Sequence, residues 1–172
     1  MATITLVTYL IDGYNLLYAI GLASRNLPAK GLERARTQLL DWLADQLADR
    51  DDRLRIVFDA QKGPAPSSEY SHRGVRVRFA FRQTADELIE ELIRDELHPK
   101  RVTVVSNDGQ VQESARHREC FVLTCQEFVD WLIAKPAPAA RAPGESAEVS
   151  ATPEEMAAWL EAFSQPMKRR KP

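Results

Sequence analysis

Residues 5–15 read TLVTYLIDGYN, seven apolar or β-branched residues followed by Asp12, Gly13 and, one residue on, Asn15. A run of that length and character is a buried strand, here about Thr5–Ile11, and the Asp-Gly pair stops it. The same pattern recurs twice. LRIVF at 54–58 is followed by Asp59, and VTVVS at 102–106 by Asn107 and Asp108. Between the strands the period changes to that of helices. From Gly31 to Asp49, Ala35, Leu39, Leu43 and Leu47 share one face with Trp42 beside them, and a second helix fits Ala85–Leu97. Further on come a helix near Gln110–Arg118, a short strand Cys120–Leu123 and a last helix Gln126–Ala134. VRVRFAF at 75–81 alternates strictly, with Val75, Val77, Phe79 and Phe81 on one face and Arg76, Arg78 and Ala80 on the other. One face of that strand is therefore wet, which puts it at or near a sheet edge. Strands alternating with helices imply βαβ units, so the expected fold is three-layer α/β with a central, mostly parallel sheet.

The chain has 172 residues with 23 Lys+Arg against 25 Asp+Glu, a net charge of −2. That length buries a real core in one domain, here residues 1–134. Near-neutrality excludes nucleic-acid binding by bulk charge and leaves a local basic groove open. No apolar run is long enough to span a membrane, and the N-terminal stretch lacks the basic start of a signal peptide. Two cysteines argue against a disulfide scaffold and fit a cytoplasmic protein. Residues 135–151 (KPAPAARAPGESAEVSA) have the composition of a flexible linker. In 152–172, Thr152, Pro153 and Glu155 form a helix start, and Met156, Trp159, Leu160 and Phe163 make one apolar stripe. A basic tail, Lys168–Lys171, closes the chain.

Ligands of an open parallel sheet bind outside the carboxyl ends of its strands, so the residues ending each strand matter most. Asp12, Asp59 and Asp108 all fall at that edge. Asp86 joins them from the first turn of the Ala85–Leu97 helix, where Ile89 and Ile93 turn the same face inward. Each acid has an ordinary structural use as a cap or turn residue, T-x-x-E at 84–87 being a capping box. Together they repel one another, and burying them without a cation costs several kcal/mol. Hard oxygens without His or Cys select Mg²⁺ or Mn²⁺ over zinc. Such an ion activates water and stabilises phosphodiester displacement. The candidate metal ligands are Asp12, Asp86 and Asp108, with Asn15 orienting a carboxylate or phosphate and Asp59 either completing the site or bracing its loop.

Substrate guidance is local. Lys62, Arg73, Arg76, Arg78 and Arg82 face only Glu69 as an opposing charge, and Tyr70 and His72 lie among them, suited to stacking on unpaired bases. Against this stands a plainer reading, in which Arg76 and Arg78 are the solvated face of an edge strand. The connection Gln61–Gly74 is long enough to be functional or mobile. His117, Cys120 and Cys125 have a weak zinc spacing, and packing explains the cysteines better. A D-x-D phosphatase nucleophile, a Walker A loop, G-x-G-x-x-G and G-x-S-x-G are all absent.

IDGYNLLY (11–18), VFDA (57–60), TADELIEELI (84–93) and VVSNDG (104–109) resemble the YacP-like branch of the NYN-domain proteins, within the PIN-like ribonucleases. The resemblance spans about residues 3–134. It implies a PIN-like fold and endoribonuclease activity at an acidic Mg²⁺ or Mn²⁺ site formed by Asp12, Asp86 and Asp108, with Asn15 the motif asparagine and Asp59 the accessory acid. It also implies RNA as the partner. Ribosome-associated mRNA is a candidate substrate, since some members act in the context of translation. The rival expectation is a non-catalytic RNA-binding module using the same groove.

Overall fold

The computed structural model describes residues 7–24, 26–48, 50–59 and 69–134. Lys62, the 135–151 segment and the 152–172 helix and tail lie outside the described residues. The chain divides into two compact units, Met1–Phe128 and Val129–Pro172, and the site described below belongs to the first.

Six strands form one sheet in the order β3-β4-β2-β1-β5-β6. They are β1 (Thr8–Asp12), β2 (Arg53–Asp59), β3 (Tyr70–His72), β4 (Val75–Ala80), β5 (Val102–Val105) and β6 (Phe121–Leu123). Every pairing is parallel except β3 with β4. The helices are α1 (Gly13–Ala19), α2 (Ala29–Leu47), α3 (Ala85–Arg94), α4 (Gly109–His117) and α5 (Cys125–Ile133). From β1 the chain steps to β2 on one side, and after β4 it crosses back to β5 on the other side of β1. Right-handed crossovers in opposite directions put their helices on opposite faces. Accordingly α1 and α2 contact each other and β2–β4, while α3 packs against β1, β2 and β4 and α4 against β5 and β6. This is the expected three-layer arrangement, with the reversal of strand order at β1.

Two elements were not foreseen. Helix α1 has seven residues, too few for a periodic pattern, although Leu16 and Leu17 are fully buried. Strand β3 takes three residues from what reads as an unbroken connection. It takes the edge and leaves β4 second in the sheet, in keeping with the expected place at or near the edge. The β3–β4 link is a two-residue turn with positive φ at both Arg73 (49°) and Gly74 (94°), the geometry that suits the strands' twist. Ala80, assigned by alternation to a wet face, is instead buried with Leu88, Ile89 and Val57 beneath α3.

Candidate active site

Side chains two apart along a strand share a face, and partners in parallel pairing sit side by side. The registers Leu10↔Arg55, Asp12↔Val57 and Leu10↔Val104 therefore put Asp12, Val57 and Val104 on one face. Leu10, Val57, Ala80 and Val104 pack there with Ala85, Leu88 and Ile89, so this is the α3 face. Asp59 continues the β2 series and Ser106 the β5 series. Helix α3 starts at the carboxyl end of this face, held by a complete capping box in which Glu87 N–H donates to Thr84 Oγ1 (3.2 Å) and Thr84 N–H to Glu87 Oε2 (2.8 Å). That cap sets Asp86 in the first turn, above the end of β1.

Asp12 is 5% exposed and caps α1, its Oδ1 accepting from Asn15 N–H at 3.3 Å. Gly13 follows because nothing larger fits: a Cβ there would enter the Phe58 ring. Ser106 Oγ donates to Asp12 Oδ2 at a long 3.5 Å while accepting from Asp108 N–H at 3.0 Å. Burial, with the neighbouring Asp86 charge adding to it, pushes the Asp12 carboxyl up to about 7. Burial and then the Asp108 charge raise Asp86 as well, with Glu90 and Asp59 contributing further. The two carboxyls are coupled neighbours, both raised above the ordinary carboxylate value, so the pair titrates as a unit. An open cavity of about 300 Å³ lies over the pair, with Tyr14, Asn15, Tyr18, Asp59 and Thr84 in its walls.

A family model for the YacP-like NYN domain matches residues 9–164. The chain belongs to that family. Its fold is the PIN-like nuclease fold. Two solved structures of Rae1 (YacP) from Bacillus subtilis resemble it. One, of a tryptophan-to-leucine mutant, is 25% identical with a TM-score of 0.57, covering 74% of this chain and 75% of that one. The other is 24% identical with a TM-score of 0.59, covering 73% of this chain and 72% of that one. A search of curated proteins finds no match.

In this YacP-like domain the sequence-nominated acids do not all play the same part. Asp12, Asp59 and Asp86 line one cavity. Asp108 borders it electrostatically, but its Oδ1 is engaged by Gln110 N–H (2.9 Å) and Val111 N–H (3.1 Å) as the cap of α4. Asn15 Oδ1 accepts from Asn107 N–H at 3.1 Å and from the Cys125 thiol at 3.6 Å, while Asn107 Oδ1 accepts from Cys125 N–H at 2.9 Å. It thus ties the β5–α4 loop and the start of α5 to the end of β1. Burial, followed by the Asp12 charge, pushes the Cys125 thiol up to about 12, so it is a proton-holding packing group. Cys120 is likewise buried and free.

The basic set is split. Arg82, with φ of 55° and its guanidinium 5.1 Å from the Phe81 ring centre, follows β4 at the carboxyl end, and Arg78 lies midway along the strand. Arg73 and Arg76 lie at the amino end, where Arg73 bonds Asp45 (2.6 Å) and Arg76 bonds Glu69 (3.0 Å). Arg36 was missed because a charge interrupts the reading of an apolar stripe. It is 6% exposed, donates to the Tyr14 hydroxyl at 2.8 Å and lies 5.4 Å from the Phe79 ring centre, fixing one cavity wall. Its position between Leu32 and Leu39/Leu40 was the available signal.

Among the described residues no three His, Cys, Asp or Glu side chains form a metal-holding group. The fit is to a two-carboxylate site. Mg²⁺ commonly takes one or two carboxylates and completes its shell with water and phosphate oxygens. Buried Asp12 and the half-buried Asp86 beside it offer hard oxygens and negative charge for a cation to offset.

Proposed function

We propose that this chain is a divalent-metal-dependent endoribonuclease that hydrolyses RNA phosphodiester bonds at Asp12 and Asp86, using Mg²⁺ or Mn²⁺, in the cytoplasm. The observation that carries the reading is that carboxyl pair. Each acid has a local use, Asp12 as the cap of α1 and Asp86 in the first turn of α3, but their convergence on one cavity of about 300 Å³ is what helix capping alone does not require. When bound, the ion supplies an activated water and neutralises charge developing on the phosphate. The protein's own groups do the rest. Asp12 and Asp86 would hold the cation as carboxylates, while Ser106 and Asn15 hold Asp12 and the flanking loop in place. Asp59 and Asp108 add negative field at the rim. Tyr14 and Tyr18, 6.4 Å apart and stacked, form a wall on which a base can lie. Arg78 and Arg82 are the described arginines of the basic set suited to the outgoing strand, and Lys62 belongs to the same proposal.

The test is cleavage of end-labelled RNA by the purified protein with Mg²⁺, Mn²⁺ or EDTA, alongside Asp86→Asn. Free RNA and translating ribosomes both belong in the assay, because ribosome-associated mRNA is part of the proposal. Metal-dependent cutting that disappears in the variant is the expected result. RNA binding without cutting of either substrate would favour the non-catalytic module.

A further inference from the structure

The α3 face has a second polar end. Where β1, β2 and β5 begin, a cavity of about 350 Å³ is walled by Arg53, Arg55, Arg76, Arg101 and His98, with Glu96 the acid in its lining. The register explains the convergence. Thr8 pairs Arg53 and Val102, and Arg55 pairs Arg76, so three arginines from neighbouring strands point to one side and Arg101 arrives from the turn that leads into β5. Glu69 compensates two of them, bonding both Arg55 and Arg76. Glu96 Oε1 is occupied by His98 N–H at 2.9 Å. The side chains of Arg53 and Arg101 are exposed and have no hydrogen-bond or ion-pair partner among the described residues. Two unmatched guanidiniums facing one concavity are a receptor for an oxyanion, which planar guanidinium forks bind in bidentate fashion.

We infer that this cavity is a second anion site, distinct from the acidic edge, that takes backbone phosphates of the bound RNA. The inference rests on the proposed RNA substrate. The two sites lie at opposite strand ends with α3 packed over the sheet between them, so RNA that reaches both runs around α3 and spans more than the strand length of roughly 15 Å. Phosphates held at the basic end would anchor the RNA away from the reacting phosphate, a positioning role.

The experiment is fluorescence anisotropy of a labelled single-stranded RNA 20-mer in EDTA, so that no cleavage intervenes, over a range of KCl concentrations. Arg53→Gln/Arg101→Gln should bind about tenfold more weakly and lose about one unit of the slope of log K against log salt, since each phosphate contact contributes about 0.7. Arg53→Lys/Arg101→Lys keeps the charges and should keep the slope. Both pairs are at exposed positions, and an unchanged thermal midpoint confirms folding. Inorganic phosphate and a mononucleotide serve as competitors. If either saturates the site at low millimolar concentration while the double Gln variant binds RNA normally, a free small anion is the ligand and the RNA inference falls. Parent-like affinity and slope in the double Gln variant would overturn this inference and leave the nuclease reading standing. Failure of the parent protein to bind the free 20-mer would overturn this inference, while the nuclease reading would stand or fall on the cleavage assay with ribosome-bound RNA.

Discussion

The two ends of the α3 face spend their charges differently. At the carboxyl end Asp12 is 5% exposed and lies against Asp86, with Asp59 and Asp108 close enough to raise Asp86. At the amino end Arg53 and Arg101 are exposed, and Arg55 and Arg76 share Glu69. Exposed arginines cost a fold little, whereas a buried carboxyl beside a second, half-buried one is held at a cost that its raised pKa records. The acidic end is therefore the one that most calls for a ligand under the proposed function. The basic end is explained by the fold plus a surplus of two charges, a weaker demand that suits positioning more than chemistry.

The largest expected effect breaks the comparison on the acidic side. Asp86→Asn should lower the rate of RNA cleavage at least about 100-fold. In EDTA, RNA affinity should stay the same or improve, because a negative charge facing phosphate has been removed. A variant that cuts normally would move the chemistry elsewhere on this edge.

The next effect is on stability, and its sign follows from Asp12. Its folded value of about 7 exceeds the unfolded value of roughly 3.9, so between them the folded state keeps a proton that the unfolded chain has released. Stability from this group is complete below the unfolded value and lost as pH rises through about 7. The full loss is at most on the order of 4 kcal/mol. In EDTA the parent protein should therefore unfold at lower denaturant at pH 8 than at pH 5.5, and Asp12→Asn should flatten that difference. Mg²⁺ should restore stability mainly at pH 8. Equal pH slopes in parent and variant would mean the pair is not coupled as described.

These two ends were unequally legible in the sequence. Three apolar runs, each followed by Asp or Asn-Asp, disclosed the acidic edge, because strand burial and strand termination are local signals. Asp86 was readable too, through Thr84 and Glu87 and through Ile89 and Ile93 on the inward face. The basic cavity was not. Arg53, Arg55, Arg76 and Arg101 are scattered over three segments, and only sheet order and register bring them together. Asn15 illustrates the same limit: its place in the motif was visible, but its grip on Asn107 and Cys125 depends on contacts 92 and 110 residues away. Helix α1 and strand β3 escaped because seven and three residues are too short to show a period.

Gly13→Ala probes how the acidic end is built. The added Cβ must displace the Phe58 ring, which also meets Tyr14 at 5.2 Å and Phe79 at 5.7 Å. Overpacking of this kind costs about 1–3 kcal/mol, read as a lowered denaturant midpoint. Since Gly13 follows Asp12 directly, activity should fall even in the fraction that remains folded. A midpoint equal to the parent's would mean that α1 can move away from β2 without penalty.

The smallest effect sharpens the amino end. Arg73 lies beside the inferred anion site in sequence, yet its guanidinium already bonds Asp45 at 2.6 Å and approaches Asp41 at 3.5 Å, both on α2. It also carries a left-handed φ of 49° as the first residue of the β3–β4 turn. Replacing it with Gly relieves the left-handed backbone and removes an exposed, screened ion pair. The denaturant midpoint should barely move, because the two contributions oppose. The salt slope of RNA binding should not change, because a cation matched by two carboxylates releases no further counterions on meeting phosphate. If Arg73→Gly lowered that slope as Arg53→Gln/Arg101→Gln is expected to, pairing within the protein would not be what separates anion-binding arginines from structural ones. The amino end would then act as a diffuse basic field instead of a site.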